Sequence, residues 1–479
     1  MVGKIVAVTL TAALLVTGCG GGSGNAPTAG GGAGSSSQSA ARASAPPQPV
    51  AGQQLVNDLV DWRQREPDIA ALPGGGYIGA WRWESGTAEP DGDLDAVLGR
   101  PLDETAAPAA PTLVLNAEGI TEGNQIQPAV AATEDGFIAV WSSVRVQGGA
   151  SFSDRGVFGQ RFSADGMPEG GAFRIDEPEH VGPTEAMPDV AVAPDDSFVV
   201  SWVTRRRPIS EPSVLFRRFA ADGEPLGRSK RVGSLGLLPQ AQPRIAMGPE
   251  GDFAIAWNTF REYRTTGGPP PPDVPLPLPD AESRYFGTIS DIRLRCYTAE
   301  GRSKTVLART VDSALRLQAD GGSYLRRPAL ARVGDRWILA WSRVDVIEDR
   351  EVLDPRVSAR AYDADCRADG GRFPVADTGS TADIAALTGG GFVASWSVAA
   401  QDSGGRHIFA RRFDGPDAPL GAAVRVNDES PEPFGQGAFP SFVSRIAAGE
   451  APGSFAVIWE GAAPADGHGI YARSFVAGD

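Results

Sequence analysis

Residues 129–141 read AVAATEDGFIAVW. An apolar run rich in small residues is followed by the polar turn Thr133, Glu134, Asp135 and Gly136, then by an aromatic residue four places before a tryptophan. Two short apolar runs joined by a Gly-containing turn predict a β-hairpin. The two-residue period of a strand puts Phe137, Ala139 and Trp141 on one face. The same unit recurs as DIAALPGGGYIGAW ending at Trp81, DVAVAPDDSFVVSW at Trp202, RIAMGPEGDFAIAW at Trp257, ALARVGDRWILAW at Trp341, DIAALTGGGFVASW at Trp396 and RIAAGEAPGSFAVIW at Trp459. Successive tryptophans lie 60, 61, 55, 84, 55 and 63 residues apart. A unit of this size cannot bury both of its faces alone, so the seven copies must stack on one another and their tryptophans must be core.

A third strand follows each hairpin: VLGRPL from Val97, VFGQRF from Val157, VLFRRF from Val214, IRLRCY from Ile292, VSARAY from Val357, IFARRF from Ile408 and IYARSF from Ile470. A fourth follows a Gly or Pro turn, as in FRID from Phe173 and VRVND from Val424. Four antiparallel strands per repeat predict propeller blades. Alanine follows the first apolar residue of every innermost strand (Ala70, Ala131, Ala191, Ala246, Ala331, Ala385, Ala447), as the taper toward an axis requires. The last unit has no fourth strand, whereas Gln53, Gln54, Leu55, Val56, Asn57 and Asp58 precede the first unit and match Arg425, Val426, Asn427 and Asp428. The expected fold is therefore all-β, a single seven-bladed β-propeller of four-stranded blades over residues 53–479, closed by an N-terminal strand in the last blade, which removes open sheet edges.

Composition agrees with this fold. Gly 60 and Pro 39 make up about a fifth of the 479 residues, as in a turn-rich chain, while the aromatic content of 8% supports a core. The net charge of −15 disfavours a nucleic-acid partner, because phosphate backbones repel acidic proteins.

Residues 1–18 carry one charge, Lys4, and a twelve-residue mostly apolar run from Ile5 to Val16. That is too short to cross a bilayer core of about 30 Å and reads as a signal peptide. Val16, Thr17, Gly18 and Cys19 resemble the lipobox of bacterial lipoproteins. The resemblance implies cleavage before Cys19, acylation of its sulfur and amine, and firm membrane attachment, since two or more chains hold where one does not. Gly20 in place of an aspartate points to the outer membrane. Residues 19–52, mostly Gly, Ser, Ala, Pro and Gln with the single charge Arg42, read as a flexible tether. The repeats resemble a propeller motif of bacterial exported proteins, P-x-V-A-x-x-x-D-G-x-F-V-V-x-W followed by I-x-x-R-R-F-D-x-x-G and V-N. This second resemblance implies architecture on the cell envelope and no catalytic residues.

Chemistry has to be sought where the repeat breaks. The residues just before the innermost strands should ring the axis: Glu66, Gln127, Met187, Gln242, Arg327, Thr381 and Val443. That mixed polar ring suits a small polar ligand or a peptide side chain. The long insertion of blade four, from Asn258 to Asp291, offers Tyr263 and Arg264 and then the stiff run Pro269 to Pro272. Glu66, Gln127, Gln242, Tyr263, Arg264 and Arg327 are thus the candidate ligand-face residues. The recurring third-strand Arg100, Arg217, Arg295, Arg360, Arg411 and Arg473, with Gln160 in their place in blade two, are expected to stack on the second-strand tryptophans or to satisfy carbonyls. No metal or cofactor is expected: Asp91, Asp93 and Asp95 alternate but lack the bidentate Glu of a calcium loop. His180, His407 and His468 are placed in separate loops with no nucleophile beside them, so no catalytic residue is assigned. Cys296 and Cys366 fall on neighbouring blades, at places expected to exceed the roughly 7 Å Cα limit of a disulfide, and their pairing is left open.

The function expected from sequence is a monomeric, membrane-tethered envelope propeller binding a protein, peptide or glycan through its loop-rich face. The alternatives are a glycosidase or lyase acting on envelope glycans, for which the S-x-D-x-G-x-T-W boxes of sialidase-like enzymes are missing, and a scaffold subunit of an envelope complex.

Overall fold

The computed structural model describes residues 45–59, 63–84, 94–116, 120–147, 150–177, 186–204, 212–233, 240–264, 286–317, 321–347, 350–351, 356–399, 406–428, 444–461 and 468–478. Cys19, Asp91, Asp93, His180, Val443 and the run Pro269 to Pro272 lie outside them. Residues Ala43–Asp479 form one compact unit, an all-β propeller of seven four-stranded antiparallel blades. In blade one Arg63–Ala71 is innermost, followed outward by Tyr77–Glu84, Ala96–Leu102 and Leu113–Val114. The other innermost strands are Asn124–Ala132, Asp189–Val192, Gln240–Met247, Gly321–Val333, Ser380–Ala386 and Ser444–Ala448. Blades four and five run into one continuous sheet, because Arg309–Leu317 pairs with the start of Gly321–Val333.

The repeat residues do what their spacing predicts. The seven tryptophans are at most 5% exposed, and Phe137, Ala139 and Trp141 pack with Ala80 and Val97 of the preceding blade. Gly76, Gly136 and Gly391, just before the second-strand aromatic, lie where a Cβ would collide with a third-strand carbonyl oxygen. A bare backbone is therefore required at that point of the hairpin.

The third-strand arginines differ from expectation in one respect. All but Arg100, which is followed by Leu102, lie over the aromatic residue two places along their own strand, not over the second-strand tryptophan: Arg217 is 5.5 Å from Phe219, and Arg473 is 6.0 Å from Phe475. The two-residue period puts that ring on the same face. Each also donates to carbonyls. Arg217 Nη1 reaches Ile175 O at 3.0 Å and Arg295 Nη1 reaches Val232 O at 2.7 Å. Arg473 Nη1 reaches Val426 O at 2.9 Å and Arg100 Nη1 reaches Val56 O at 2.8 Å. Each of these four therefore ties its blade to the last strand of the blade before it.

Blade seven takes its fourth strand from the N-terminal side of the chain. Gln54 faces Ala472, and Leu55 faces Tyr471. Val56 is fully buried, and Asn57 Oδ1 accepts the Ile470 N–H at 2.7 Å. In blade six Val426 is likewise fully buried, and Asn427 Oδ1 accepts the Ile408 N–H at 2.8 Å. The paired segment also begins earlier than residue 53: Gln48 faces Val476 and Pro49 faces Phe475, so part of the stretch read as tether belongs to the sheet.

Two further expectations are corrected. Cys296 and Cys366 are bridged, with Cα atoms 5.7 Å apart. The turn after the third strand of one blade lies against the third strand of the blade before it, as Gly301 of blade four lies against Arg218 of blade three, and Cys366 and Cys296 hold those two places in blades five and four. His407 lies in the strand Arg406–Gly415 and not in a loop.

Candidate functional site

At one end of the axis the innermost strands open on a cavity of about 460 Å³. Glu66, Gln127, Met187, Gln242 and Arg327, expected to ring the axis, all line it. Each precedes a proline and holds a left-handed backbone, with φ between 47° and 55°. Such residues cost on the order of 1–3 kcal/mol where the surroundings impose the conformation. Here the strand register shifts around these positions, between Arg65 and Asp68 in blade one and between Ile126 and Ala129 in blade two. The bulge turns a backbone N–H toward the preceding blade, where a side chain receives it. Glu460 Oε1 accepts from Glu66 N (2.7 Å), Glu66 Oε2 from Gln127 N (2.9 Å), Gln127 Oε1 from Met187 N (2.9 Å) and Gln242 Oε1 from Arg327 N (3.1 Å). One oxygen of Glu66, Gln127 and Gln242 thus serves as a blade-to-blade tie, a structural role the sequence reading did not anticipate.

The side chains of Tyr263 and Arg264 lie outside the described residues. The insertion that carries them begins as a paired ribbon that lengthens the second and third strands of blade four, in which Tyr263 faces Gly287 and Arg264 faces Phe286.

A second row lies two residues deeper on the same strands: Asp68, Ala129, Asp189, Arg244, Ala329, Asp383 and Arg445. Asp68 accepts the Val130 N–H at 2.8 Å, Asp189 the Ile245 N–H at 2.8 Å and Asp383 the Ile446 N–H at 3.1 Å. Arg244 pairs with Asp189 at 3.1 Å, and Arg445 sits between Asp68 (3.5 Å) and Asp383 (3.9 Å). Burial pushes the Asp68 and Asp383 carboxyls up to about 7 against the pull of Arg244, with Asp189 adding to the rise at both. Burial likewise raises Asp189, and it lifts Glu460 to about 8. Sequence reading missed this row. Its signal was present in the quoted repeats, as Asp or Arg in DIAA, DVAV and RIAM where two blades have Ala, on a strand whose neighbours are apolar.

Among the described residues the cavity wall presents five arginines, Arg65, Arg82, Arg244, Arg327 and Arg445, against one carboxylate, Glu66. Their acidic partners stand behind or beside them. Arg82 is held by Asp95 at 2.5 Å and Arg65 by Glu84 at 3.3 Å. Asp68, Asp189, Asp383 and Glu460 are not part of the wall. A guanidinium has five donors in a fixed fork, so one carboxylate partner leaves N–H groups for another. Arg65 pairs with Glu84 and Arg244 with Asp189, whereas Arg445 has two carboxylate neighbours and Arg82 has three, Asp95 with Glu66 at 3.6 Å and Glu84 at 3.9 Å, and these pairs orient the arginines around the cavity. Among the described residues no group of three metal-ligating side chains occurs, and Asp95 is engaged with Arg82.

No protein-family model and no curated protein matches the sequence. Among solved structures the chain is similar to a protein of unknown function from Dyadobacter fermentans, with 11% identity and a TM-score of 0.49, covering 90% of this chain and 99% of the other. It is also similar to the polysaccharide lyase Uly1, with 10% identity, a TM-score of 0.46 and coverage of 88% and 91%. A third is the α-L-arabinofuranosidase Arb93A of Fusarium graminearum, with 10% identity, a TM-score of 0.42 and coverage of 88% and 97%. At such identities these likenesses concern the course of the chain and not its chemistry.

Proposed function

We propose that this protein is an envelope binding protein whose axial cavity takes a carboxylate-bearing ligand, a uronate residue of a glycan or an acidic group of a peptide. The observation that carries this reading is the wall of five arginines around about 460 Å³, a volume in the range of small-ligand sites. Their guanidinium forks match a carboxylate in two-point geometry. Binding is favoured over glycoside cleavage because the carboxylate in the wall, Glu66, accepts the Gln127 N–H and lies 3.6 Å from Arg82, while the other axial carboxylates are tied to the next blade behind the wall. The cavity opens at the loop-bearing end of the blades, the end a large ligand would meet. In this reading an acyl group on Cys19 holds the protein to the membrane, most simply the outer one.

Titration calorimetry with glucuronate and galacturonate oligomers and with acidic peptides tests the cavity. Binding to any of them that weakens at least tenfold in Arg244→Gln or Arg445→Gln supports the reading. Equal binding of a neutral glycan, or turnover of any of these ligands, sinks it. Labelling cells with a radioactive fatty acid tests the anchor: label on the wild type and none on Cys19→Ser is expected, and an unlabelled wild type overturns it.

A further inference from the structure

The large apolar side chains left exposed fall on blades two, three, four and seven. Among the described residues they are Val50, Leu59, Met167, Leu226, Val306, Leu307 and Val476. All but Leu59 lie on the outer edge of the ring toward the end opposite the cavity, where the hairpin turns are. Met167 closes the turn after the third strand of blade two, its O accepting from Ser163 N. Leu226 follows the equivalent turn of blade three, donating to Arg218 O. Val476 ends the third strand of blade seven, and Val50 runs alongside, its N–H donating to Ser474 O. Val306 and Leu307 stand on a bulge between Lys304, which donates to Cys296 O, and Arg309, which faces Leu294. They are 91% and 68% exposed, and the Cys296–Cys366 bridge lies beneath the bulge. A folded surface does not ordinarily hold adjacent Val and Leu side chains this far out without something to cover them.

The course of the chain says which surface that is. Gln48 and Pro49 pair with Val476 and Phe475, and Phe475 faces Phe455 at the turn of blade seven, so the segment leading from Cys19 joins the body at this same end. We infer that the turn end of the ring rests on the lipid surface to which Cys19 is anchored, with Val306 and Leu307 as the wedge that enters it, so that the axial cavity opens away from the membrane. A lipid anchor whose tether joins the body at blade seven and an apolar wedge on blade four are two contacts on well-separated blades, which fix a tilt that one flexible tether cannot. The turns at this end carry acidic pairs, Asp103 with Glu104, Glu134 with Asp135 and Asp195 with Asp196. They suit a zwitterionic surface, with the exposed Arg309 placed beside the wedge to meet headgroup phosphates, while Lys304 is held by Asp252 at 2.9 Å.

The inference rests on the anchor reading for its geometry, but it can be tested without the anchor. Full-length protein carrying Cys19→Ser is floated with phosphatidylcholine vesicles at millimolar lipid, with and without the added changes Val306→Asp and Leu307→Asp. The expected result is a bound fraction for the Cys19→Ser protein that drops at least fivefold in the triple variant, with an unchanged melting temperature because both side chains are exposed. No flotation of the Cys19→Ser protein, or equal flotation of both, overturns the wedge, as does saturable capture by a protein partner through Val306 and Leu307 with no lipid binding. Fatty-acid labelling of the wild type reports on the anchor separately, so the two failures are distinguishable.

Discussion

Two sets of arginines divide this molecule. The outer set, Arg100, Arg217, Arg295, Arg360, Arg411 and Arg473, recurs on the third strand of six blades and faces carbonyls. Arg411 Nε donates to Gly421 O at 2.9 Å and Arg360 Nε to Gly370 O at 3.1 Å, in the same way within each blade. The inner set breaks the repeat. Arg244 and Arg445 stand where other blades have Asp or Ala, and with Arg65, Arg82 and Arg327 they line one cavity. A charge supplied by six of the seven blades holds the ring together, whereas a charge supplied by two blades gives the axis an asymmetric surface that can discriminate a ligand.

The largest effect that would sharpen this division comes from removing partners of the outer set. A chain beginning at Leu59 loses Val56 O, which Arg100 uses, and Ala51 O, which Arg473 uses at 3.0 Å, together with the fourth strand of blade seven. It should melt more than 10 °C below one beginning at Ala43 or should aggregate through the opened edge. Equal melting temperatures would break the assignment of residues 48–57 to the ring. Next is Arg473→Leu, which strands Ala51 O and Val426 O and removes the 2.6 Å pair with Asp428. It should cost about 2–4 kcal/mol in urea unfolding, with the binding of carboxylate ligands untouched.

A smaller effect separates the inner set by pH. Asp68 and Asp383 titrate near 7 in the folded chain and near 4 when unfolded. A carboxyl raised by folding contributes stability that is present below the unfolded value and is lost as pH rises through the folded one. The wild type should therefore lose on the order of a few kcal/mol from these groups between about pH 4 and 8. Asp68→Asn with Asp383→Asn keeps an acceptor for the Val130 and Ile446 N–H groups and should flatten that slope. A slope unchanged in the double variant would show that these carboxyls are ionised throughout. The smallest effect on stability belongs to Arg445→Met at pH 5.5, where its carboxyl neighbours are protonated. It should cost about 1 kcal/mol or less, since the usual penalty for breaking a buried pair comes from the charge left behind. The affinity for a carboxylate ligand should nevertheless fall at least tenfold.

The sequence by itself determined the blade count, the order of strands and the identity of the core, because each of these follows from a local period repeated seven times. The Ala on the innermost strand, the Trp four places after an aromatic and the Val56–Asn57 echo of Val426–Asn427 are visible without coordinates. It also determined which residues stand at the axial mouth, since Glu66, Gln127, Met187, Gln242 and Arg327 hold one position in the repeat. Tertiary structure alone decided what those residues face. Ring closure brings Asp68 of blade one beside Arg445 of blade seven, 377 residues apart in sequence, and no local period encodes a pairing across the closure. Burial then turns ordinary aspartates into groups that titrate near neutrality. The disulfide between Cys296 and Cys366 and the placement of exposed apolar side chains toward the turn end belong to the same class. Both depend on how adjacent blades meet, which is set by the packing of whole sheets and not by the residues of any one strand.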